Sequence, residues 1–278
     1  NILKAGFPLV IHNRSQAVVQ ELVNEGATAA ANPQEVAAQV DVIFTNLPDS
    51  PDVMSVALGT NGIIAGAHRG LIFVDNSTIK PATAREIAQK LGEKGVACLD
   101  APVSGGDIGA QNGTLAIMVG GPVEALETVK PIFAVMGKSI THVGKSGAGQ
   151  IAKAANQIMV AAQMVAMGEL LIFAQKAGAD ARKVVEAIQS GAAQCWTLDV
   201  KPQRLFSGNR QPGFKAYMQA KDLNIVVETA REYGIPIPSA TLDSQLFNAM
   251  LQNDMGELDN SAILGILEIM AGMRLNTD

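Results

Sequence analysis

Up to Gly144 the chain alternates short runs of β-branched and aromatic residues with stretches of helical character, and beyond Gly144 no such run occurs. That switch limits the architecture more than any other property of the sequence. Pro8-Leu-Val-Ile-His12, Asp41-Val-Ile-Phe-Thr-Asn46, Leu71-Ile-Phe-Val-Asp75, Val96-Ala-Cys-Leu-Asp100, Ala116-Ile-Met-Val119 and Ile140-Thr-His-Val143 read as strands. Continuous apolar strands are buried on both faces, which requires a mostly parallel sheet with helices above and below. Between them, helices are predicted over Ser15–Glu25, ended by Gly26, and over Pro81–Lys94. Asn32-Pro-Gln-Glu35 has the spacing of a capping box with Pro at the first helical position, so a short helix starts there. Residues 1–146 are therefore expected to form a doubly wound α/β domain. Residues 147–278 are expected to be all-α, with helices at Ala181–Gln189, Thr197–Phe206, Ala216–Tyr233, Ser239–Gln252 and Asn260–Met273.

The all-α part opens on Gly147-Ala-Gly-Gln-Ile-Ala-Lys-Ala-Ala-Asn156, and an apolar run continues to Gly178. One helix between these glycines would span roughly 45 Å at about 1.5 Å per residue. Its residues leave no wholly polar face, so it is expected to be buried on most sides, between domains or subunits. Lys153 and Asn156 stand three apart in its first turns and share a face. An amine beside an amide at the mouth of an apolar helix marks a candidate site.

The net charge of −5 leaves no basic face for a nucleic acid. The apolar content of 48% with 17% charged residues is that of a globular chain rather than a disordered one. Two isolated cysteines, Cys98 and Cys195, argue for a reducing, cytoplasmic setting. Gln157, Gln163 and Glu169 interrupt the apolar run and speak against a membrane span. His12, His68 and His142 are scattered without metal-ligand spacing, so no metal is assigned.

In an open parallel sheet, ligands bind beyond the carboxyl ends of the strands. Those ends carry Asn13-Arg14-Ser15, Leu47-Pro48, Asn76-Ser77-Thr78 and Ser104-Gly105-Gly106. In dinucleotide folds an acid after the second strand holds the ribose diol, whereas an Arg accommodates a 2′-phosphate. Arg14 reads either as that Arg or as a solvated residue capping a strand end. Ser104-Gly105-Gly106 reads either as an anion cradle of one hydroxyl and close backbone N–H groups or as an ordinary turn.

Together with Asp75-Asn-Ser-Thr78, Asp100-Ala-Pro-Val-Ser-Gly-Gly106, Asn112-Gly-Thr-Leu115, Gly147-x-Gly-x-x-x-Lys153-x-x-Asn156, Pro212-Gly-Phe214 and Lys221-Asp-Leu-Asn224, these segments follow a recognisable order and spacing. Over essentially its whole length the chain resembles the β-hydroxyacid dehydrogenase family. That family includes 3-hydroxyisobutyrate dehydrogenases, tartronate semialdehyde reductases and glyoxylate/succinic semialdehyde reductases. The resemblance implies a Rossmann-type NAD(P)-binding domain followed by a helical domain, and hydride transfer between a nicotinamide cofactor and a small β-hydroxy or semialdehyde acid.

The resemblance also implies roles. Lys153 is the proton donor and Asn156 orients the reacting hydroxyl. Ser104, Gly105, Gly106 and Phe214 bind substrate, while Asn13, Arg14, Ser15, Leu47, Pro48, Thr78 and Lys221 bind the cofactor. Burial disfavours the charged form of a lysine, which suits Lys153 to acid–base work at physiological pH. Arg14 tilts the cofactor toward NADP(H), with NAD possible. The expected activity is that of a 2-hydroxy-3-oxopropionate (tartronate semialdehyde) reductase, with 3-hydroxyisobutyrate or glyoxylate/succinic semialdehyde as alternatives. Imine reduction and a non-catalytic interaction role on the same scaffold are disfavoured by Lys153. A homodimer or homotetramer joined through the helical domain is expected.

Asp222 reads as a local helix or salt-bridge residue, and Asp259-x-Ser261-Ala262 as a helix N-terminus or a late family motif. The family's Gly-x-Gly-x-x-Gly turn is not found. Asn1–Gly6 reads as the tail of the helix after it, so about 15–20 further residues are expected ahead of it.

Overall fold

The computed structural model describes residues 1–277. It divides into two compact units, Asn1–Lys153 and the residues from Ala154 on. The structural division falls later than the Ser146 boundary read from sequence, because the first turn of the long helix packs with the sheet.

In the first unit, β1 (Val10–Ile11) and β2 (Thr28–Ala29) pair in parallel across α1 (Gln16–Asn24). The capping box starts α2 (Pro33–Ala37): Asn32 Oδ1 accepts the Glu35 amide at 2.9 Å, and the Glu35 carboxylate accepts the Ala31 amide at 2.9 Å. Next come β3 (Val42–Thr45), α3 (Ser50–Leu58), α4 (Ile63–Gly66), β4 (Ile72–Asp75), α5 (Pro81–Gly92) and β5 (Ala97–Asp100). The unit continues through β6 (Val103–Ser104), α6 (Gly106–Asn112), β7 (Leu115–Gly120), α7 (Val123–Met136) and β8 (Gly137–Gly144).

These form a six-stranded sheet in the order β3-β4-β5-β7-β6, with β8 also on β7. The β3-β4-β5 segment is parallel, while β5 and β6 run antiparallel to β7. Alternation along β4 sorts the core into two layers. Phe73 packs with Ile43, Ile79, Ile87, Leu91 and Cys98 on one face. Ile72 and Val74 pack with Leu99, Ile117, Val119 and Phe133 on the other. The doubly covered sheet is thus present. Asn1–Gly6 holds one 3-10 turn, Leu3–Ala5, closed by Gly6 at φ 88°.

The second unit is helical: α9 (Ala181–Ile188), α10 (Trp196–Phe206), α11 (Ala216–Tyr233), α12 (Pro238–Gln252), a 3-10 turn over Asn260–Ile263 and α13 (Leu264–Ala271). The long helix, α8 (Ala148–Lys176), begins in the first unit and supplies Met164, Met167 and Leu171 to the helical core with Phe247 and Leu264. Burial of α8 is less complete than its composition predicts. Met159 is 59% and Phe173 75% exposed, at positions one helical face shares with exposed Ala166. By length and hydropathy α8 passes for a membrane span, as the core helix of a water-soluble protein also does. Its Gln157 and Gln163 are hydrogen-bonded to Asp222 and Thr197 of the same unit.

Candidate active site

Thr45, Asp75 and Asp100 stand in register at the carboxyl ends of β3, β4 and β5. The Thr45 hydroxyl donates to Asp75 Oδ1 at 2.8 Å and the Ser77 amide donates to the same oxygen at 3.1 Å. Burial outweighs these bonds and pushes the Asp75 carboxyl up to about 6. Burial also raises Asp100, against the amides that Gly147 and Gln150 donate to its two oxygens at 2.7 and 3.0 Å. Asp100 thereby takes up the orphan N–H groups at the start of α8. The approach is close: a Cβ on Gly120, opposite Asp100 in β7, would lie 2.6 Å from Asp100 Oδ1. Gln150 adds two bonds, accepting the Ile79 amide at 3.1 Å and donating to the Ser77 carbonyl at 2.8 Å. Lys153 follows three residues later and is 7% exposed.

Both carboxyls make stability depend on pH, and in the same sense. A carboxyl raised by folding stabilises the native state below its unfolded value, and that contribution is lost as pH rises through the folded value. For Asp75 the window runs from about 4 to about 6 and the effect reaches about 3 kcal/mol, with Asp100 acting in the same direction. Amides of β3, β4 and β5 should therefore become more protected from hydrogen exchange as pH falls from neutral toward 4.5, after correction for intrinsic rates. Unchanged or weaker protection would contradict this account.

The expected cofactor loops are partly joined. Leu47 donates its amide to Ser77 Oγ at 2.8 Å, Lys80 donates to Ser50 Oγ at 3.1 Å, and Asn76 Nδ2 donates to the Ala101 carbonyl at 2.6 Å. Leu47, Pro48 and half-buried Thr78 thus sit on loops stitched together. The Asn13–Ser15 turn, between β1 and α1, is exposed, and Asn13 Oδ1 accepts the Ser15 amide at 2.9 Å. Val10, just ahead of it, packs against the core beneath β3 and β4. Ser104 ends β6, and exposed Gly105 and Gly106 begin α6 at φ 139° and 61°. Only glycine adopts two such angles in succession without strain.

In the helical unit, half-buried Asn156 donates Nδ2 to Gln157 Oε1 at 2.8 Å. Gln157 Nε2 donates to Asp222 Oδ2 at 2.6 Å, and Lys221 Nζ lies 2.8 Å from Asp222 Oδ1. Phe214 is set by Asp259, whose Oδ2 accepts the amides of Gly213 and Phe214 at 2.9 and 3.3 Å. Fully buried Asp259 also receives Lys201 Nζ at 2.8 Å and the Ser261 hydroxyl at 2.6 Å. Burial pushes its carboxyl upward, but these bonds and the Lys201 charge hold it at about 2. Asp100 and Gln150 order the strand ends of the first unit, and Gln157 and Asp259 order the helical unit; sequence pattern alone marks none of the four as a site residue. Asp100 and Asp259 carry a visible signal in the sequence, since they open Asp100-Ala-Pro-Val-Ser-Gly-Gly106 and Asp259-x-Ser261-Ala262.

Two known domain families match the chain. Residues 1–144 match the NAD binding domain of 6-phosphogluconate dehydrogenase, and residues 147–267 match the NAD-binding domain of NADP-dependent 3-hydroxyisobutyrate dehydrogenase. The chain belongs to the β-hydroxyacid dehydrogenase family. It is 40% identical over 275 residues to 2-hydroxy-3-oxopropionate reductase of Escherichia coli (strain K12), covering 99% of this chain and 94% of that one. Mycobacterium tuberculosis 3-hydroxyisobutyrate dehydrogenase, solved with L-serine, superposes with a TM-score of 0.88 at 28% identity, over 96% of this chain and 92% of that one. Psf3, solved with NADP+ and 2-OPP, superposes with a TM-score of 0.86 at 25% identity, over 96% and 94% of the two chains. As a β-hydroxyacid dehydrogenase, the protein is an NAD(P)-dependent hydroxyacid oxidoreductase.

Proposed function

We propose that the protein reduces a small semialdehyde acid with NADPH, with 2-hydroxy-3-oxopropionate as the favoured substrate. The observation that carries this reading is the buried Lys153, one turn beyond the point where Asp100 fastens α8 to the strand ends. Exposed glycines and joined loops at the carboxyl ends suit close approach of a dinucleotide. A reduced nicotinamide, when bound, would supply the hydride-donor chemistry. The Lys153 ammonium gives its proton to the carbonyl oxygen, and the Asn156 amide hydrogen-bonds that oxygen; in the reverse direction Lys153 takes the proton back. The Ser104 hydroxyl with the Gly105 and Gly106 amides receives the substrate carboxylate. Phe214 shields the reacting carbon from water, and Lys221 offers its charge to cofactor or substrate.

The identity to the Escherichia coli enzyme supports the choice of substrate. 3-Hydroxyisobutyrate and glyoxylate/succinic semialdehyde are the competing readings, because one methylene in a pocket is worth only about 1–3 kcal/mol. The deciding experiment follows NADPH oxidation with tartronate, methylmalonate and succinate semialdehydes and with glyoxylate. Highest kcat/KM for tartronate semialdehyde is expected, and no turnover above background with any of the four would reject the reading.

Arg14 supports NADPH, because an exposed guanidinium after β1 suits a 2′-phosphate better than a free ribose diol. Arg14→Asp is expected to lower the NADPH/NADH ratio of kcat/KM by about tenfold or more, in line with a loss of at least about 1.4 kcal/mol of phosphate binding. Equal use of both cofactors by the unmodified protein would refute the preference. The exposed Met159 and Phe173 on one face of α8 support a homodimer or homotetramer formed through the helical unit.

A further inference from the structure

Gln157 and Asp222 are each 3% exposed, so their polar atoms depend on partners inside the protein. A carboxylate accepts hydrogen bonds and cannot donate them. Asp222 Oδ2 lies 2.6 Å from Gln157, so Gln157 must turn its NH2 end toward Asp222. Its carbonyl end then faces Asn156 at 2.8 Å, and two carbonyl oxygens cannot share that contact. Asn156 must therefore place its own NH2 group there. Lys221 Nζ occupies the other carboxylate oxygen at 2.8 Å. The direction of donation is thereby fixed from Asn156 through Gln157 to Asp222, and flipping either amide would oppose like atoms.

The geometry points to Gln157 as a positioning residue that locks the Asn156 amide, so that its second N–H is the end offered to the reacting oxygen. This rests on the reading of Asn156 as the group that binds that oxygen. A carbonyl oxygen about to accept hydride needs donors around it, and a flipped Asn156 would offer it Oδ1 instead. Without Gln157, nothing in the relay prevents the flip. The charged groups around the relay are Asp222 and Lys221 from α11 and, one turn earlier on α8, Lys153.

Two variants test the relay. Gln157→Met keeps the length and removes both ends of the relay, and should lower kcat about tenfold or more with little change in KM. Gln157→Glu can replace the amide only when protonated, since its hydroxyl then donates to Asp222 while its carbonyl accepts from Asn156. Its kcat should approach the wild-type value at low pH and fall, as pH rises, earlier than in the wild type. Independently of turnover, the Asn156 side-chain amide protons should exchange slowly with solvent in the wild type and faster in Gln157→Met. A wild-type kcat and unchanged exchange in Gln157→Met overturn the inference. So does a Gln157→Glu profile that matches the wild type at every pH, or that matches Gln157→Met at every pH. Should the wild type reduce none of the four aldehydes, the functional reading fails while the exchange measurement still decides the relay. Should Lys153→Ala be inactive and Gln157→Met fully active, the relay alone fails.

Discussion

Lys153→Ala is expected to lower kcat for aldehyde reduction about a thousandfold, within the range general acid catalysis supplies. The loss should fall on kcat, because the proton is needed only as charge develops on the carbonyl oxygen. Binding of NADPH, followed by fluorescence titration, should be nearly unchanged. Lys153→Arg should not restore the rate, since a guanidinium holds its proton too firmly to give it up near neutral pH. Because the side chain is buried, urea unfolding of the variant is compared with the wild type to separate loss of the proton donor from loss of the fold. A kcat for Lys153→Ala within tenfold of the wild type would assign the proton to another group.

The largest effect on stability is expected at Asp259. Asp259→Ala would leave the Lys201 ammonium buried without its carboxylate and would strip the Gly213 and Phe214 amides of their acceptor. Breaking one side of such a pair costs about 3–5 kcal/mol. Lys201→Met should cost clearly less, because Asp259 would keep its bonds from Ser261, Gly213 and Phe214. Urea unfolding of the two variants makes the comparison. Equal destabilisation would show that the ion pair, rather than the loop it holds, dominates. Substrate KM should rise in any folded Asp259→Ala protein, since Phe214 would no longer be held in place.

The elements that were legible in the sequence are those with long, unambiguous patterns. Asp41–Asn46 differs from β3 only in its flanking residues, and Ala216–Tyr233 matches α11 because Gly234, at φ 65°, supplies a left-handed cap. The missed elements have physical reasons. β2 and β6 are two residues each, too short to show a period. α7 carries Pro131 in its interior, which reads as a break. α6 holds Gly106 and Gly109, poor helix formers. The site divides in the same way. Lys153 stood out because an apolar run follows it. Gln157 did not, because a glutamine in such a run reads only as an interruption. Its meaning comes from Asp222, which the fold, and not the local sequence, brings to it.

The attachment of α8 to Asp100 also sets an angular phase. Gly147 and Gln150 fix the azimuth of the first turn, and each further residue advances the helix by about 100°. Lys153 and Asn156 keep their direction only while the count from Gln150 is conserved. One residue inserted between Gln150 and Lys153 would swing the ammonium, and with it the rest of the helix, by more than a quarter of a revolution. The spacing from Gly147 to Asn156 therefore works as a vernier, and the identity of the alanines between matters less than their number.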